Sequence, residues 1–194
     1  WTTPIVIDTG ARRELITSAK PWVIAYDPAT GEEYWRVRCI EGDSAPSPIY
    51  ANGRIYVANV YAELTAILPG GGGDVTDTHI DWSVSGQFPD IASPLSNGEL
   101  VWTMHTSGAL SCFDADTGEE QYVERLDPRF RASPTLVGER VYLIGEAGSG
   151  IVVSAARQFE QVGGGSFGED VYSTPSFAHT QMYVRGTEHV FCVG

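Results

Sequence analysis

The chain has 194 residues, 42% of them hydrophobic and 19% charged, which suits one ordinary globular domain with a sizeable core. The formal net charge is −13, from 25 acidic and 12 basic residues. Because nucleic-acid binding depends on Lys and Arg that displace counterions, this balance excludes a typical nucleic-acid partner. No polybasic cluster suggests an anionic membrane surface, and no apolar run approaches the roughly 20 residues that span a bilayer.

The first signal in chain order is a Ser/Thr-Pro dipeptide that occurs five times; each occurrence is called a Ser/Thr-Pro step. Its prolines are separated by 44, 46, 40 and 41 residues: Pro4, Pro48, Pro94, Pro134 and Pro175. Each step is followed by β-rich runs and turns, among them Asn52-Gly53 and Asn97-Gly98, and no helix-period pattern intervenes. Four antiparallel strands per unit at this period are typical of β-propeller blades.

We therefore predict an all-β fold, a single propeller segment over residues 1–194. It should contain four full blades and a partial fifth that lacks its outer strand. The approximate blade bounds are 1–43, 44–90, 91–130, 131–171 and 172–194.

The turn between the third and fourth strands has its own repeated phrase, "AYDPATGEEYW" at 25–35 and "CFDADTGEEQY" at 112–122. Asp caps such a turn through the backbone, and Gly31 or Gly118 supplies the positive φ that the turn requires. An aromatic side chain follows on the fourth strand and is expected to cover the turn of a neighbouring blade. These aromatic residues are Trp35, Trp82 and Tyr122.

With these residues the chain resembles the PQQ-like (pyrroloquinoline-quinone-like) β-propeller repeat, whose units end in A-x-D-x-x-T-G-x-x-x-W. The first unit matches this phrase in full, from Ala25 to Trp35, and the third keeps Asp114, Thr117 and Gly118. The family includes quinoprotein dehydrogenases, an outer-membrane assembly lipoprotein and many secreted bacterial proteins. Its propellers usually have seven or eight blades, so the resemblance implies either the C-terminal part of such a longer propeller, which we favour, or two associated copies. It also implies a bacterial, secreted or periplasmic location.

The resemblance implies a quinone site only where a Trp and a disulfide between adjacent cysteines flank the cofactor, with Ca²⁺ nearby. Cys39, Cys112 and Cys192 are far apart in sequence, and Trp22, Trp35, Trp82 and Trp102 fall inside strand phrases. Hence we expect no cofactor and no enzyme activity from this segment. PQQ with calcium is expected only under the alternative, a quinone-dependent oxidoreductase whose cofactor site lies in blades outside this chain. Whether the cysteines form one disulfide stays open.

Two further features, a Gly-rich segment and the histidines, are only weak indications of catalysis or ligand binding. "GGGSFGED" at 163–170 fits phosphate-loop and nucleophile patterns, but no helix can follow it, so a flexible connection between blades is the favoured interpretation. The four histidines show neither ligand spacing nor an acidic partner: His79, His105, His179 and His189.

Acidic turns raise the question of a calcium site. Asp74, Asp77 and Asp81 are weak candidates in the enlarged second-blade turn, where a solvated loop is the alternative. The "DADTGEE" turn fails the EF-hand pattern, because its glycine, Gly118, stands one position too early.

A binding face is the remaining hypothesis. The connections that lead from a fourth strand to the next blade lie on the same rim as the hairpins between second and third strands. They carry aromatic and charged residues typical of interfaces: Phe88, Asp90, Arg129, Phe130, Arg131, Phe167 and Asp170. The alternative is that the Phe side chains plug the spaces between blades.

Together these features predict a non-catalytic scaffold that binds a protein or a small ligand at its rim. Self-association through open blade edges is a further expectation. A spacer without binding function is the third alternative.

Overall fold

The structure is a computed structural model that describes residues 1–60, 63–126 and 129–194. The strands are, in chain order, β1 (Ile5–Asp8), β2 (Arg13–Ala19), β3 (Trp22–Tyr26), β4 (Glu33–Arg38), β5 (Ile49–Ala51), β6 (Arg54–Val57), β7 (Leu64–Ile67), β8 (Gly73–Asp74), β9 (Ile80–Val84), β10 (Leu95–Ser96), β11 (Leu100–Met104), β12 (Ala109–Asp114), β13 (Glu120–Arg125), β14 (Thr135–Val137), β15 (Arg140–Ile144), β16 (Ser149–Ser154), β17 (Gln161–Ser166), β18 (Ser176–Ala178), β19 (Gln181–Arg185) and β20 (Val190–Val193). One short helix, α1, spans Thr76–His79.

These strands form five separate sheets in sequence order, which confirms the all-β propeller segment. The sheets are blade 1 (β1-β2-β3-β4, extended by β8), blade 2 (β5-β6-β7-β9), blade 3 (β10–β13), blade 4 (β14–β17) and blade 5 (β18–β20). As predicted, blade 5 has three strands within the described residues. The first strands of neighbouring blades contact one another, since β10 touches both β5 and β14, so the first strands form the inner side.

Each four-stranded blade bends at the same place. The pairing of the third and fourth strands shifts by one residue just before the turn, between Ala25 and Tyr26 in blade 1 and between Cys112 and Phe113 in blade 3. The same shift occurs in blades 2 and 4. Such a bulge increases the local twist and aims the outer strand toward the next blade.

The repeated Ser/Thr-Pro step has a structural role that its spacing alone does not reveal. From the second step onward, the hydroxyl oxygen of each step accepts a hydrogen bond from the backbone N–H of the equivalent residue in the preceding blade. The four bonds run Thr3 to Ser47, Ser47 to Ser93, Ser93 to Ser133 and Ser133 to Thr174, at 2.9, 3.0, 3.0 and 3.0 Å. This series, called the Ser/Thr ladder below, joins all five blades.

The apolar core lies between blades, because side chains alternate between the two faces of each strand. Ile16, Ala25 and Trp35 of blade 1 pack against Ile55 and Ile67 of blade 2. The same arrangement recurs at the interfaces of blades 2 and 3, 3 and 4, and 4 and 5. Burying each large aliphatic side chain contributes about 1.5–3 kcal/mol, so neighbouring blades stabilise one another.

The enlarged turn of blade 2 reaches back to blade 1. Its strand β8 pairs in parallel with β4, and Gly71 accepts a hydrogen bond at 3.0 Å from the Arg12 guanidinium. Arg12 also pairs at 2.7 Å with the fully buried Glu14, to which the Trp35 indole N–H donates at 2.9 Å. The turn thereby covers the outer edge of blade 1.

The Gly-rich stretch is not a flexible connection. Gly163, Gly164 and Gly165 lie inside β17, paired with β16, and correct the sequence prediction for this segment. Within the described residues, no helix has both the length and the apolar character needed to cross a membrane.

Candidate functional site

The connections between blades each insert one apolar side chain into the space between sheets. Phe88 and Phe130 are 1% exposed, and Phe88 packs 6.0 Å from the ring of Phe113. Phe167 is half-buried and lies 5.1 Å from the ring of Phe191. The three Phe side chains therefore fill the spaces between blades, which is the alternative considered above. They support the rim connections from inside and are not themselves a binding surface.

Polar residues of the same connections bind the hairpin that follows in the next blade. The Thr106 hydroxyl donates to Asp90, and Arg131 donates to Glu146 at 2.6 Å. Thr106 and Glu146 belong to the turn between the second and third strands of the next blade, whereas Asp90 and Arg131 belong to the connections. These hydrogen bonds hold Asp90 and Arg131 in place, as a preformed binding surface requires.

An exposed cluster remains at the rim between blades 4 and 5, and we call its residues Arg131, Glu146, Asp170 and Tyr172 the rim cluster. The Arg131 guanidinium lies 5.6 Å from the centroid of the Tyr172 ring, and the Tyr172 hydroxyl donates to Asp170 at 3.4 Å. Tyr172 is 48% exposed. Arg129, two residues before Arg131 on the same connection, is also exposed. Asp127 and Pro128 of that connection lie outside the described residues.

This rim cluster combines the residue types that dominate protein interfaces. Arg and Tyr supply large contact areas with polar ends, and a stacked, ion-paired Arg loses little side-chain entropy on binding. The sequence prediction included Arg131 and Asp170 but missed Tyr172 and Glu146. The "EDVY" phrase that precedes the fifth Ser/Thr-Pro step was the signal that could have identified Tyr172.

A second polar cluster lies nearby and corrects the expectation that no histidine has an acidic partner. His189 Nδ1 is 2.7 Å from Glu169 Oε2, and Glu169 Oε1 accepts the backbone N–H groups of Glu188 and His189. The hydrogen bond from His189 is the main cause that lowers the pKa of the Glu169 carboxyl below its ordinary value. Glu169 and His189, with Glu188, form the one potential metal-ligand group among the described residues. Because both oxygens of Glu169 already have partners, this cluster serves first to join blade 4 to the β19–β20 hairpin.

The three acidic candidates for calcium occupy separate environments. Asp74 accepts hydrogen bonds from the backbone and the hydroxyl of Thr76, which together are the main cause that lowers its carboxyl pKa. Asp81 pairs with Arg54 at 2.7 Å, and Asp77 lies exposed on α1. In the described part of the chain these three carboxylates do not converge on one ligand site.

The acidic turn of blade 3 is used for contacts between blades. Asp116 pairs with Arg54 of blade 2 at 2.9 Å, and Asp114 pairs with Arg157 of blade 4 at 2.7 Å. Trp82 lies across the same turn and donates its indole N–H to the Ala115 carbonyl at 3.1 Å. A Cβ atom added at Gly118 would lie 2.7 Å from the Trp82 ring, so the ring covers this turn as the sequence predicted.

The residues that a quinone site would need are used elsewhere. All three cysteines are free: Cys112 is buried, Cys39 half-buried and Cys192 exposed. Trp35 and Trp102 are fully buried in contacts between blades, and the Trp22 ring lies 5.4 Å from the Arg36 guanidinium. The described residues thus do not fit the pair of adjacent cysteines and facing Trp that hold a quinone, and we derive no step through one.

The number of sheets and their strand order define a segment of a β-propeller. A family model matches residues 3–92 and 62–161, more than half of the chain. The chain belongs to this family, which is described as "Outer membrane protein assembly factor BamB".

A solved structure with the same architecture is that of BamB from Moraxella catarrhalis. It is 15% identical to the chain with a TM-score of 0.71, over 93% of this chain and 56% of that one. The chain therefore spans a little over half the length of this structural relative, and the likeness shows the fold. No curated protein matches the chain.

Proposed function

We propose that this chain is a non-catalytic, extracytoplasmic scaffold that binds a protein partner at the rim cluster of blades 4 and 5. The stacked pair Arg131–Tyr172 carries the proposal, because it is exposed, preformed and made of typical interface residues. The family description, an outer membrane protein assembly factor, supports a protein partner and a location outside the cytoplasm.

The binding energy is expected to come mainly from Arg131 and Tyr172. Glu146 holds the guanidinium at 2.6 Å and Asp170 accepts from the tyrosine hydroxyl, so both side chains keep their orientation before the partner arrives. Reversing the charge at Arg131 removes the ion pair with Glu146 and the contact with the Tyr172 ring at once. Truncation of such a central residue commonly costs 2 kcal/mol or more of binding free energy, about thirtyfold in affinity.

The test is capture of envelope proteins from the source organism by the immobilised chain. Arg131→Glu should reduce capture of the specific partner at least tenfold. Arg140→Glu is the matched control, because Arg140 is also exposed but lies where β15 begins, on the opposite rim. Equal loss in both variants, with unchanged circular dichroism, would refute the assignment of the rim cluster.

Absence of quinone chemistry is tested separately by light scattering on a sizing column, with and without added PQQ and Ca²⁺. The proposal expects the same mass with and without PQQ and Ca²⁺, and no quinone absorbance in the protein peak. Quinone that co-elutes with the protein would overturn the non-catalytic assignment.

A further inference from the structure

The connection from blade 4 to blade 5 carries a carboxylate at a position where the other connections have none. Glu169 stands five residues before the Ser/Thr of the next Ser/Thr-Pro step, and the equivalent residues of the other three connections are Gly42, Phe88 and Pro128. Two glycines leave room for it. A Cβ at Gly148 would collide with the Glu169 carbonyl oxygen, and a Cβ at Gly186 would collide with its carboxylate. The fold therefore holds one carboxylate directly against the turn between β19 and β20.

That turn brings two more ligand groups to the same carboxylate. It spans residues 186–189 and carries Glu188 and His189. A carboxylate oxygen of Glu169, one of Glu188 and a ring nitrogen of His189 all lie within 4.8 Å of one another. The closest pair is His189 Nδ1 and Glu169 Oε2, at 2.7 Å. Two ligands of a tetrahedral Zn²⁺ ion, with bonds of about 2.0–2.1 Å, are roughly 3.3 Å apart, so this pair needs to separate by only about 0.6 Å to share an ion.

Glu169 and His189 already have fixed orientations. Glu169 Oε1 accepts the backbone N–H groups of Glu188 and His189 at 3.0 and 2.9 Å. An ionised carboxylate has about four lone-pair sites, so Glu169 keeps acceptor capacity for an ion. The His189 ring lies 6.0 Å from the ring of Phe191, which in turn packs against Phe167. Side chains that are held in this way lose little conformational entropy when an ion binds.

Hydrogen bonding between the blades does not account for the Glu188 carboxylate. The contact of Glu169 with the turn uses the His189 ring and two backbone N–H groups, one of which belongs to Glu188. An oxygen of the Glu188 carboxylate lies within 4.8 Å of one from Glu169, and two negative charges at that distance repel each other. A bound cation removes this repulsion, and the net charge of −13 favours cations near the chain.

We propose that Glu169, Glu188 and His189 bind a divalent transition-metal ion, for which Zn²⁺ is the best match to the donor set. Zn²⁺ takes imidazole nitrogen and carboxylate oxygen together, whereas Ca²⁺ and Mg²⁺ prefer oxygen ligands. Binding releases the proton on His189 Nδ1 to solvent, and the ion lies between this nitrogen and Glu169 Oε2. A water molecule completes the tetrahedron. The ion links the connection that follows blade 4 to the hairpin of blade 5.

This site goes beyond the scaffold function proposed above and shares no residue with the rim cluster. It is tested by titration of the isolated chain, whereas the rim cluster is tested by capture of a partner. Failure of one proposal therefore leaves the other standing.

Titration of the full, metal-free chain with Co²⁺ and then Zn²⁺ tests the site. The visible absorption of Co²⁺ reports its coordination and should saturate at one ion per chain, and added Zn²⁺ should remove this absorption as it takes the site. With three protein ligands instead of four, the Kd for Zn²⁺ should be on the order of 1–10 µM, weaker than in four-ligand structural sites. Zn²⁺ at a hundredfold excess over its Kd should raise the midpoint of thermal unfolding by about 5–10 °C.

Glu188→Gln separates a metal site from a purely structural contact. The variant loses a charged ligand but keeps the backbone N–H that binds Glu169, so its stability without metal should not fall, while its Zn²⁺ affinity should drop at least tenfold. His189→Ala should abolish Zn²⁺ binding. Glu139→Gln is the matched control, because Glu139 is exposed in the turn between β14 and β15 on the opposite rim, and this variant should bind Zn²⁺ like the natural chain.

Four results would overturn the proposal. The first is no saturable Co²⁺ absorption at millimolar metal, and the second is undiminished Zn²⁺ binding by Glu188→Gln. The third is displacement of Co²⁺ by millimolar Ca²⁺, which would indicate an acidic surface that does not use the imidazole. The fourth is absorption from sulfur-to-cobalt charge transfer, which would place the ion on the exposed Cys192.

Discussion

Replacing Ser93 by Ala removes one link of the Ser/Thr ladder and tests how the blades are joined. The Ser93 hydroxyl accepts the Ser47 backbone N–H at 3.0 Å, and the Ser93 N–H continues the ladder to Ser133. The substitution therefore breaks one bond between blades 2 and 3 and leaves the next one intact.

The expected loss is about 1–1.5 kcal/mol in the free energy of unfolding. A typical internal hydrogen bond contributes about 0.5–1.5 kcal/mol, and a buried donor without a partner costs about 1–3 kcal/mol. The Ser47 N–H is only partly buried, so water recovers some of the loss and the lower part of that range applies. Urea unfolding followed by circular dichroism measures the change through the transition midpoint.

Two variants serve as controls for Ser93→Ala. Ser93→Thr should keep the stability of the natural chain, because Thr174 accepts the Ser133 N–H at 3.0 Å in the same role. Ser85→Ala removes an exposed hydroxyl that bonds Glu63 within blade 2 and should change little. Equal effects of Ser93→Ala and Ser85→Ala, or an equal loss in Ser93→Thr, would refute the role assigned to the ladder.

Three further predictions concern the turns, the thiols and the acid limit of stability. Gly118→Ala and Gly31→Ala share a left-handed backbone cost of about 1–2 kcal/mol, since φ is +72° and +76°, but only Gly118 lies under Trp82. Gly118→Ala should therefore lose about 1–3 kcal/mol more in urea unfolding, and equal losses would contradict the Trp82 contact. Burial raises the thiol pKa of Cys39 and Cys112 to about 12, and Cys112 is buried while Cys192 is exposed, so a thiol reagent at neutral pH should modify Cys192 first and Cys112 only in urea; rapid modification of native Cys112 would contradict its burial. Because the carboxyl pKa of Glu169 is lowered in the fold, its stabilisation is present above its ordinary value of 4.5 and is lost as the pH falls through the folded value. Glu169→Gln should lower stability at pH 7 and flatten the acid limb of the stability curve, and an acid limb as steep as that of the natural chain would contradict the assigned contact.

The architecture was predictable from the sequence because its determinants are local. The Ser/Thr-Pro period, the Asp and Gly of the third turn and the aromatic residue after it all act within one blade or between adjacent blades. The positive φ at Gly31, Gly118 and His179 occurs where the predicted turns require it. Short-range turn chemistry of this kind is specified by residue type alone.

The features that sequence reasoning missed depend on contacts between distant residues. The destination of the enlarged blade 2 turn is set by Arg12 and Gly71, 59 residues apart. Glu169 and His189 are 20 residues apart, and nothing in their spacing indicates the ion pair. The glycines of β17 look flexible in sequence, yet pairing with β16 fixes them in a strand.

The candidate site shows the same division. Composition identified the connections that carry aromatic and charged residues, but it could not tell that Phe88 and Phe130 turn inward while Tyr172 stays outside. Phe has no polar atom to keep it in water, whereas the Tyr172 hydroxyl bonds Asp170. The charge pairs at the rim depend on the next blade, which only the fold provides.

Photo-crosslinking from the two rims tests the central claim, that partner binding takes place at the rim cluster of blades 4 and 5. A benzophenone amino acid replaces Ala147, which is exposed next to Glu146 of the rim cluster, in one variant and Val137, which is 39% exposed at the opposite rim, in the other. In envelope extract the Ala147 position should give a discrete adduct with one protein, which Arg131→Glu removes, and the Val137 position should give none. An adduct from Val137 alone, or an adduct at Ala147 that persists in Arg131→Glu, would contradict it.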